Sequence, residues 1–124
     1  MSTPTPEALV AAFSQLYNSG DGMKVLDLYA ADALFAPGPD AEARGHAQIR
    51  EVIKQFKAVD GPLTMSLKRA LVSGDTVLLL CDWTLKGKGP DGAPVAMAGT
   101  TADVARKQSD GNWRYIIDNP FGTQ

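Results

Sequence analysis

The sequence predicts an α+β fold, in which three N-terminal helices pack on the concave face of a strongly curved, mainly antiparallel sheet. Apolar residues recur at helical spacing in the first half of the chain, and the period changes to two from Leu63 onward. Strand-like segments are then separated by turn sequences such as that at 109–112. A chain of 124 residues supports one hydrophobic core, so residues 1–124 are expected to form a single domain.

The three helices are predicted from caps and apolar stripes. Thr5 is a suitable N-cap with Pro6 at the first helical position, and the first helix then carries one apolar face made by Leu9, Val10, Phe13, Leu16 and Tyr17. A short second helix is expected after Asp21. The third follows residues 44–46, and its buried stripe consists of Ile49, Val52, Ile53 and Phe56.

Four long antiparallel strands are predicted after the third helix, and one short strand at 34–36 before it, broken by Pro37. Residues 63–68 alternate in polarity, whereas 76–86 are apolar on both faces, which is typical of a central strand. The last two strands are expected within 94–119, joined by the turn at 109–112. Helices on one side leave apolar residues on the other face of the sheet, so we expect a homodimer through that outer face.

Composition and motifs exclude several classes of function. A net charge of −2 with dispersed basic residues argues against a nucleic-acid surface, and no apolar run approaches the ~20 residues of a membrane helix. The N-terminus lacks a signal-peptide pattern, so a cytoplasmic location is the expectation. One cysteine and one histidine cannot form a Cys/His zinc site, and the glycines at 87–92 lack the helix of a phosphate loop. We therefore expect neither a metal nor a cofactor.

The chain resembles the SnoaL-like and ketosteroid-isomerase-like superfamily, which has the cystatin-like cone fold of nuclear transport factor two. The resemblance lies in FSQLYNSGDGMKVLDLYAADALF (13–35), RGHAQIREVIKQF (44–56) and DVARKQSDGNWRYIIDNPFG (103–122). It implies a pocket between the first helices and the concave face of the sheet. The superfamily includes isomerases, cyclases, dehydratases, hydrolases and non-catalytic domains, so the resemblance predicts the fold better than the reaction.

The resemblance also implies roles for particular residues. In the steroid isomerases a neutral aspartic acid and a tyrosine donate hydrogen bonds to the substrate oxygen, while a second aspartate moves a proton. Asp103 falls at the position of the neutral acid. The position of the tyrosine falls at Phe13, although Tyr17 lies one turn later on the same helix face. The position of the usual base falls at Pro37, which cannot accept a proton.

Two acids are the candidate catalytic residues. Asp103 is either a pocket acid with a raised pKa, or a strand residue that is paired with a basic side chain or exposed to solvent. Asp118 either acts with Asp103 as an acid/base pair or caps the C-terminal turn. His46, the only histidine, is either a base or a surface residue at a helix start, and Cys81 is interpreted as a buried structural thiol.

Large apolar side chains are the candidate substrate-binding residues, because ligand pockets are lined mainly by such groups. They are Phe13, Tyr17, Phe56, Met65, Trp83 and Met97. The predicted function is a small-molecule-binding cone domain, acting as a cofactor-independent isomerase, dehydratase or hydrolase on a small apolar carbonyl or hydroxyl compound. The alternative is a non-catalytic ligand carrier or association module of the same fold.

Overall fold

The N-terminal helices form where the caps predict them. The structure is a computed structural model that describes residues 2–124. Helix α1 spans Pro6–Tyr17, and the Thr5 hydroxyl accepts a hydrogen bond from the Ala8 amide at 3.1 Å. A 3-10 helix follows at Met23–Leu28, and helix α2 spans Gly45–Lys57. Ile49 and Ile53 of α2 are almost completely buried, as the apolar stripe predicted.

The sheet has seven strands within the described residues. Their bounds are β1 Tyr29–Gly38, β2 Ala41–Arg44, β3 Leu63–Ser73, β4 Thr76–Lys88, β5 Pro94–Thr100, β6 Asp103–Lys107 and β7 Trp113–Asp118. The order is β2-β1-β7-β6-β4-β3, with β5 paired to the far end of β4. All neighbours are antiparallel except β1 and β7, which are parallel. The predicted α+β class, with helices against a curved and mainly antiparallel sheet, is confirmed.

Three strand predictions were wrong. The strand expected at 34–36 extends over Tyr29–Gly38, and β2 was missed between it and α2. The long strand expected before the turn at 109–112 is two strands, β5 and β6, so five long or medium strands follow α2 rather than four. The physical reason is that β4 pairs with β6 over its first half and with β5 over its second.

Thr101 lies at the fork between β5 and β6. Its amide donates to the Cys81 carbonyl at 2.7 Å, and its hydroxyl accepts from the Cys81 amide at 3.1 Å. These bonds satisfy the backbone of β4 where it passes from one partner strand to the other. Thr101 therefore marks the branch point of the sheet.

The outer face of the sheet carries a continuous apolar row. Paired positions place one residue from each of five neighbouring strands in line, namely Leu34, Ile117, Val104, Leu78 and Leu71. We call these five residues the outer row. Leu71, at one end of the row, is 43% exposed, and Ile117, next to the other end, is 37% exposed, so the row is accessible to solvent. Among residues 2–124, no helix is long and apolar enough to cross a membrane.

Candidate active site

A small cavity lies between the two α-helices and the concave face of the sheet. Its volume is about 60 Å³. It is lined by Phe13, Tyr17, Phe35, Ile53, Phe56, Leu63, Met65, Trp83, Leu85, Thr101, Asp103, Tyr115, Asp118 and Pro120. Most of these side chains are apolar or aromatic, so the polar groups among them are few and specifically placed.

The strand register brings the two acids together at one end of this cavity. Strands β6 and β7 pair Val104 with Ile117, so the next pair in that register is Asp103 opposite Asp118. Directly opposed residues have Cβ atoms about 4.5–5.5 Å apart. Asp103 is 2% exposed and Asp118 is 7% exposed, so both carboxyl groups are removed from water.

A β-bulge sets the orientation of Asp118 relative to Tyr115. Ala105 pairs with Tyr115 and Val104 pairs with Ile117, which leaves Ile116 as an extra residue in β7. With strict alternation, Tyr115 and Asp118 would face opposite sides of the sheet because they are three residues apart. The bulge allows both side chains to point into the cavity.

Hydrogen bonds from the protein occupy one oxygen of each acid. The Tyr29 hydroxyl donates to Asp118 Oδ2. The Asn119 amide donates to Asp103 Oδ1 at 2.8 Å. The unprotonated oxygen of a carboxyl group is the better acceptor, so these bonds favour a shared proton on Asp103 Oδ2 or Asp118 Oδ1.

The environment favours one proton on the pair, held by Asp103. Burial raises the pKa of Asp103 well above its usual value, and the negative charge of Asp118 raises it further. Burial also raises the pKa of Asp118, but hydrogen bonds from Tyr29 and Asp103 lower it and so favour its charged form. The arrangement is therefore a neutral acid beside a carboxylate, which is how closely spaced carboxyl groups avoid two buried charges.

Two tyrosine hydroxyls in the cavity lining add further polar groups. Tyr17 is 3% exposed and Tyr115 is 1% exposed, and neither hydroxyl has a hydrogen-bond partner among residues 2–124. We call them the cavity hydroxyls. Burial raises the pKa of Tyr17 to about 12. The pKa of Tyr115 is raised by burial and then by the charges of Asp103 and Asp118, because this hydroxyl lies at the acid end.

The tyrosines at the acid pair come from strands, where the resemblance had pointed to the first helix. Phe13 packs edge-on against the rings of Tyr29 and Tyr115, at centroid distances of 6.1 and 5.8 Å. Sequence reasoning missed both tyrosines as site residues. The apolar alternation of β7 could have identified Tyr115, because it shares a face with buried Trp113. Tyr29 lacked such a pattern, because the sequence placed it on the apolar side of the second helix and not in a strand.

The remaining predicted site residues divide into two groups. Phe13, Tyr17, Phe56, Met65 and Trp83 line the cavity together with Asp103 and Asp118. Met97 is not among the lining residues, although it packs against the core and its strand partner Leu85 does line the cavity. Pro37, at the position of the usual base, also lies outside that lining.

Other candidate groups contribute no second site. Cys81 is completely buried, and burial raises the pKa of its thiol to about 12, as expected of an unreactive structural cysteine. His46 is exposed at the start of α2, where its Nε2 lies 2.9 Å from the Tyr29 carbonyl oxygen. Residues 2–124 contain no cluster of three or more histidine, cysteine or acidic side chains suited to a metal ion.

Known proteins resemble this chain in sequence pattern and in fold. The model of the SnoaL-like domain matches residues 10–116. A ketosteroid isomerase-like protein from Erwinia carotovora atroseptica has a TM-score of 0.78 at 20% identity, with 90% of this chain and 88% of that chain covered. An NTF2-like family protein from Streptomyces avermitilis, proposed to be a dehydratase, has a TM-score of 0.76 at 16% identity, with coverages of 95% and 94%.

A third solved structure is named as an association domain rather than as an enzyme. It is a proposed association domain of a calcium/calmodulin-dependent protein kinase type II from Thiobacillus denitrificans, with a TM-score of 0.77 at 22% identity and coverages of 100% of this chain and 99% of that chain. Because the three solved structures are 16–22% identical to this chain, their similarity shows a shared fold and not a shared function. A search of curated proteins finds no match to the sequence.

Proposed function

The chain belongs to the SnoaL-like domain family, and we propose that it binds a small, mostly apolar carbonyl or hydroxyl compound and performs acid/base chemistry on it. The observation that carries this proposal is the neutral acid and the carboxylate facing each other at one end of an apolar cavity. The protein fixes only one oxygen of each acid, and burying a carboxyl group that is incompletely hydrogen-bonded costs roughly several kcal/mol, which argues for a chemical role. Structural relatives named as isomerase-like and dehydratase proteins are consistent with it.

The residues have distinct roles in the proposed reaction. Asp118 is the base, because its ionised form is favoured by the Tyr29 hydroxyl. It removes a proton from the carbon next to the ligand carbonyl, and the electron pair of the broken C–H bond moves to the carbonyl oxygen. Tyr115 donates a hydrogen bond to that oxygen as its negative charge develops, and the neutral Asp103 donates a second one by turning its O–H from Asp118 to the ligand. In a β,γ-unsaturated ketone, return of the proton to the γ-carbon shifts the double bond into conjugation and completes an isomerisation. In a saturated ketone, the proton returns to the same carbon, which completes an exchange.

Cavity size limits the ligand. A volume of about 60 Å³ is well below the roughly 300–1,000 Å³ of pockets for drug-sized molecules. The fused rings of a steroid therefore require the cavity to open widely. A single six-membered ring, which occupies a cavity of about 150 Å³, requires a smaller expansion. Small cyclic ketones are the first substrates to test.

Proton exchange in D₂O tests this function directly. Cyclohexanone is incubated with the protein, and deuterium incorporation next to the carbonyl is followed by NMR. We expect the wild-type protein to catalyse exchange above the background rate. Asp118→Asn should lower this catalysed rate by at least about 100-fold, and Asp103→Asn should lower it by a smaller factor. Asp82→Asn is the matched control, because Asp82 is an exposed acid that bonds Thr100 outside the cavity. Exchange that persists at the wild-type rate in Asp118→Asn would contradict the assignment of the base.

A non-catalytic association module is the second candidate, and the outer row favours it. Five aligned apolar side chains form a ready surface for a second copy, and we propose a homodimer through this face. Dimerisation is compatible with catalysis, so the exchange experiment separates the candidates. If cyclohexanone neither binds nor exchanges and Asp103 titrates near its ordinary ~3.9, the association role is favoured.

A further inference from the structure

The cavity lining has hydrogen-bonding groups in two separate places. The acid end holds Asp103, Asp118 and the cavity hydroxyl of Tyr115. The cavity hydroxyl of Tyr17, the last residue of α1, lies apart from the acids, since burial alone raises its pKa whereas the charges of Asp103 and Asp118 also raise that of Tyr115. Phe13 lies between the tyrosines, with ring centroids 5.8 Å from Tyr115 and 6.4 Å from Tyr17.

The hydroxyl of Tyr17 is unexplained by the proposed reaction. Tyr17 is 3% exposed, and its hydroxyl has no bond to any group within residues 2–124. Burying a hydroxyl without a partner costs roughly 1–3 kcal/mol, so such a group in a cavity lining points to a ligand or a water that accepts its hydrogen bond. The Tyr17 ring is held by Lys57, whose Nζ lies 4.7 Å from its centroid and donates to its carbonyl oxygen at 3.0 Å.

We propose that the ligand is a compact, neutral molecule with acceptor oxygens at both ends of a single apolar ring, such as a cyclic diketone or a hydroxyketone. One oxygen lies at the acid end, where the reaction occurs, and the other accepts a hydrogen bond from the Tyr17 hydroxyl. This inference rests on the proposed function, because it assumes that the first oxygen is bound by Tyr115 and Asp103. It adds a second point of recognition that fixes the orientation of the ring.

The charges around the cavity favour a neutral ligand. The lining residues, all within the described part of the chain, include no lysine, arginine or histidine. Asp118 supplies a negative charge at the acid end, and the nearby Lys57 amine already bonds the Tyr17 carbonyl. A ligand carboxylate would lose its hydration without gaining a cationic partner, which is unfavourable in an apolar cavity. The two oxygens are therefore carbonyl or hydroxyl groups.

Three matched probes test the inference by titration calorimetry or NMR. Cyclohexanone has one oxygen, 1,4-cyclohexanedione has two at opposite ends, and 4-oxocyclohexanecarboxylate replaces one with an anion. We expect the dione to bind roughly five- to tenfold more tightly than cyclohexanone, the value of one neutral hydrogen bond, and the carboxylate to bind more weakly than either. In Tyr17→Phe, the ratio of dione to cyclohexanone affinity should fall to about one.

Ser14→Ala is the matched control, since it removes a hydroxyl from the same helix outside the cavity lining. It should retain the preference for the dione. Equal affinities of dione and cyclohexanone in the wild-type protein, or an unchanged ratio in Tyr17→Phe, overturn the inference and assign the Tyr17 hydroxyl to water. The proposed function still stands in that case if cyclohexanone binds and exchanges. If no probe binds, both proposals fail.

Discussion

At the scale of single residues, the structure explains why two acids can share an apolar cavity. Each acid has one oxygen fixed by the protein, Asp118 by the Tyr29 hydroxyl and Asp103 by the Asn119 amide. The strand register places the two acids opposite each other, and the raised pKa of Asp103, caused by burial and by the charge of Asp118, favours a single proton on the pair. Asp103 could be identified from the sequence because it interrupts an apolar strand, but its partnership with Asp118 depends on a bulge that the sequence does not reveal.

The first prediction concerns the pH dependence of stability. The pKa of Asp103 is raised in the folded protein, so the folded state binds its proton more tightly than the unfolded chain does. This contribution is fully present below the unfolded pKa of ~3.9 and is lost as pH rises towards the folded pKa. Asp103→Asn mimics the neutral acid, so the wild type should lose stability relative to this variant as pH rises, by at most about 1.4 kcal/mol per pH unit.

Urea unfolding at several pH values between 4 and 8 measures this difference. Asp82→Asn provides a control of opposite sign, because a hydrogen bond from Thr100 lowers the pKa of Asp82 and its charged form favours the folded state. The stability of Asp82→Asn should therefore fall relative to the wild type as pH rises towards the unfolded value and stay constant above it, so this control is also measured below pH 4. Stability curves of wild type and Asp103→Asn that run parallel across this range would show that Asp103 titrates normally.

At the scale of elements, local pattern predicted the regular segments and failed where pairing partners change. Helix α2 and strand β4 were predicted well because each buries a periodic set of side chains. Strand β1 was predicted too short, since Ala30, Ala31 and Asp32 lack strand periodicity and prolines follow. It is nevertheless a strand because β2 and β7 pair with it on either side. Such tertiary contacts override local propensity.

The second prediction concerns a close backbone contact that positions β3. Asp60 and Lys88 exchange two backbone hydrogen bonds, of 2.7 and 3.1 Å, where the connection from α2 crosses the end of β4. A Cβ added at Gly61 would lie 1.9 Å from the Lys86 carbonyl oxygen. Gly61→Ala must therefore separate two backbones, and we expect it to lower the free energy of unfolding by about 2 kcal/mol or more, as overpacking does.

Chemical denaturation measures this loss, and Gly38→Ala is the control. A Cβ at Gly38 would meet no atom within 4 Å, so that substitution should change the stability by less than about 0.5 kcal/mol. Leu63 and Met65 of β3 line the cavity just beyond the contact. Gly61→Ala should therefore also weaken ketone binding. A variant as stable as Gly38→Ala would show that the two segments separate without cost.

At the scale of the whole molecule, the two faces of the sheet have different predicted tasks. The concave face encloses the cavity, and its residues on β4, such as Val77 and Leu79, are completely buried. The outer face has no helix against it within the described chain, yet it carries the outer row. The apolar character of both faces of β4 could be predicted from the sequence. The alignment of the row could not, because it depends on the registers of four strand pairs.

The third prediction is that a charge in the outer row prevents dimerisation. Leu78 is the member that pairs with both Leu71 and Val104, so Leu78→Lys places an ammonium group inside the proposed interface. Removing that charge from water without a partner is costly, so the dissociation constant of the dimer should rise by at least about 100-fold. Val72→Lys is the control, because Val72 is 56% exposed but pairs with Val77 and so faces the opposite side of the sheet. Sedimentation at micromolar concentration should find wild type and Val72→Lys dimeric and Leu78→Lys monomeric, and a monomeric wild type would contradict the proposed interface.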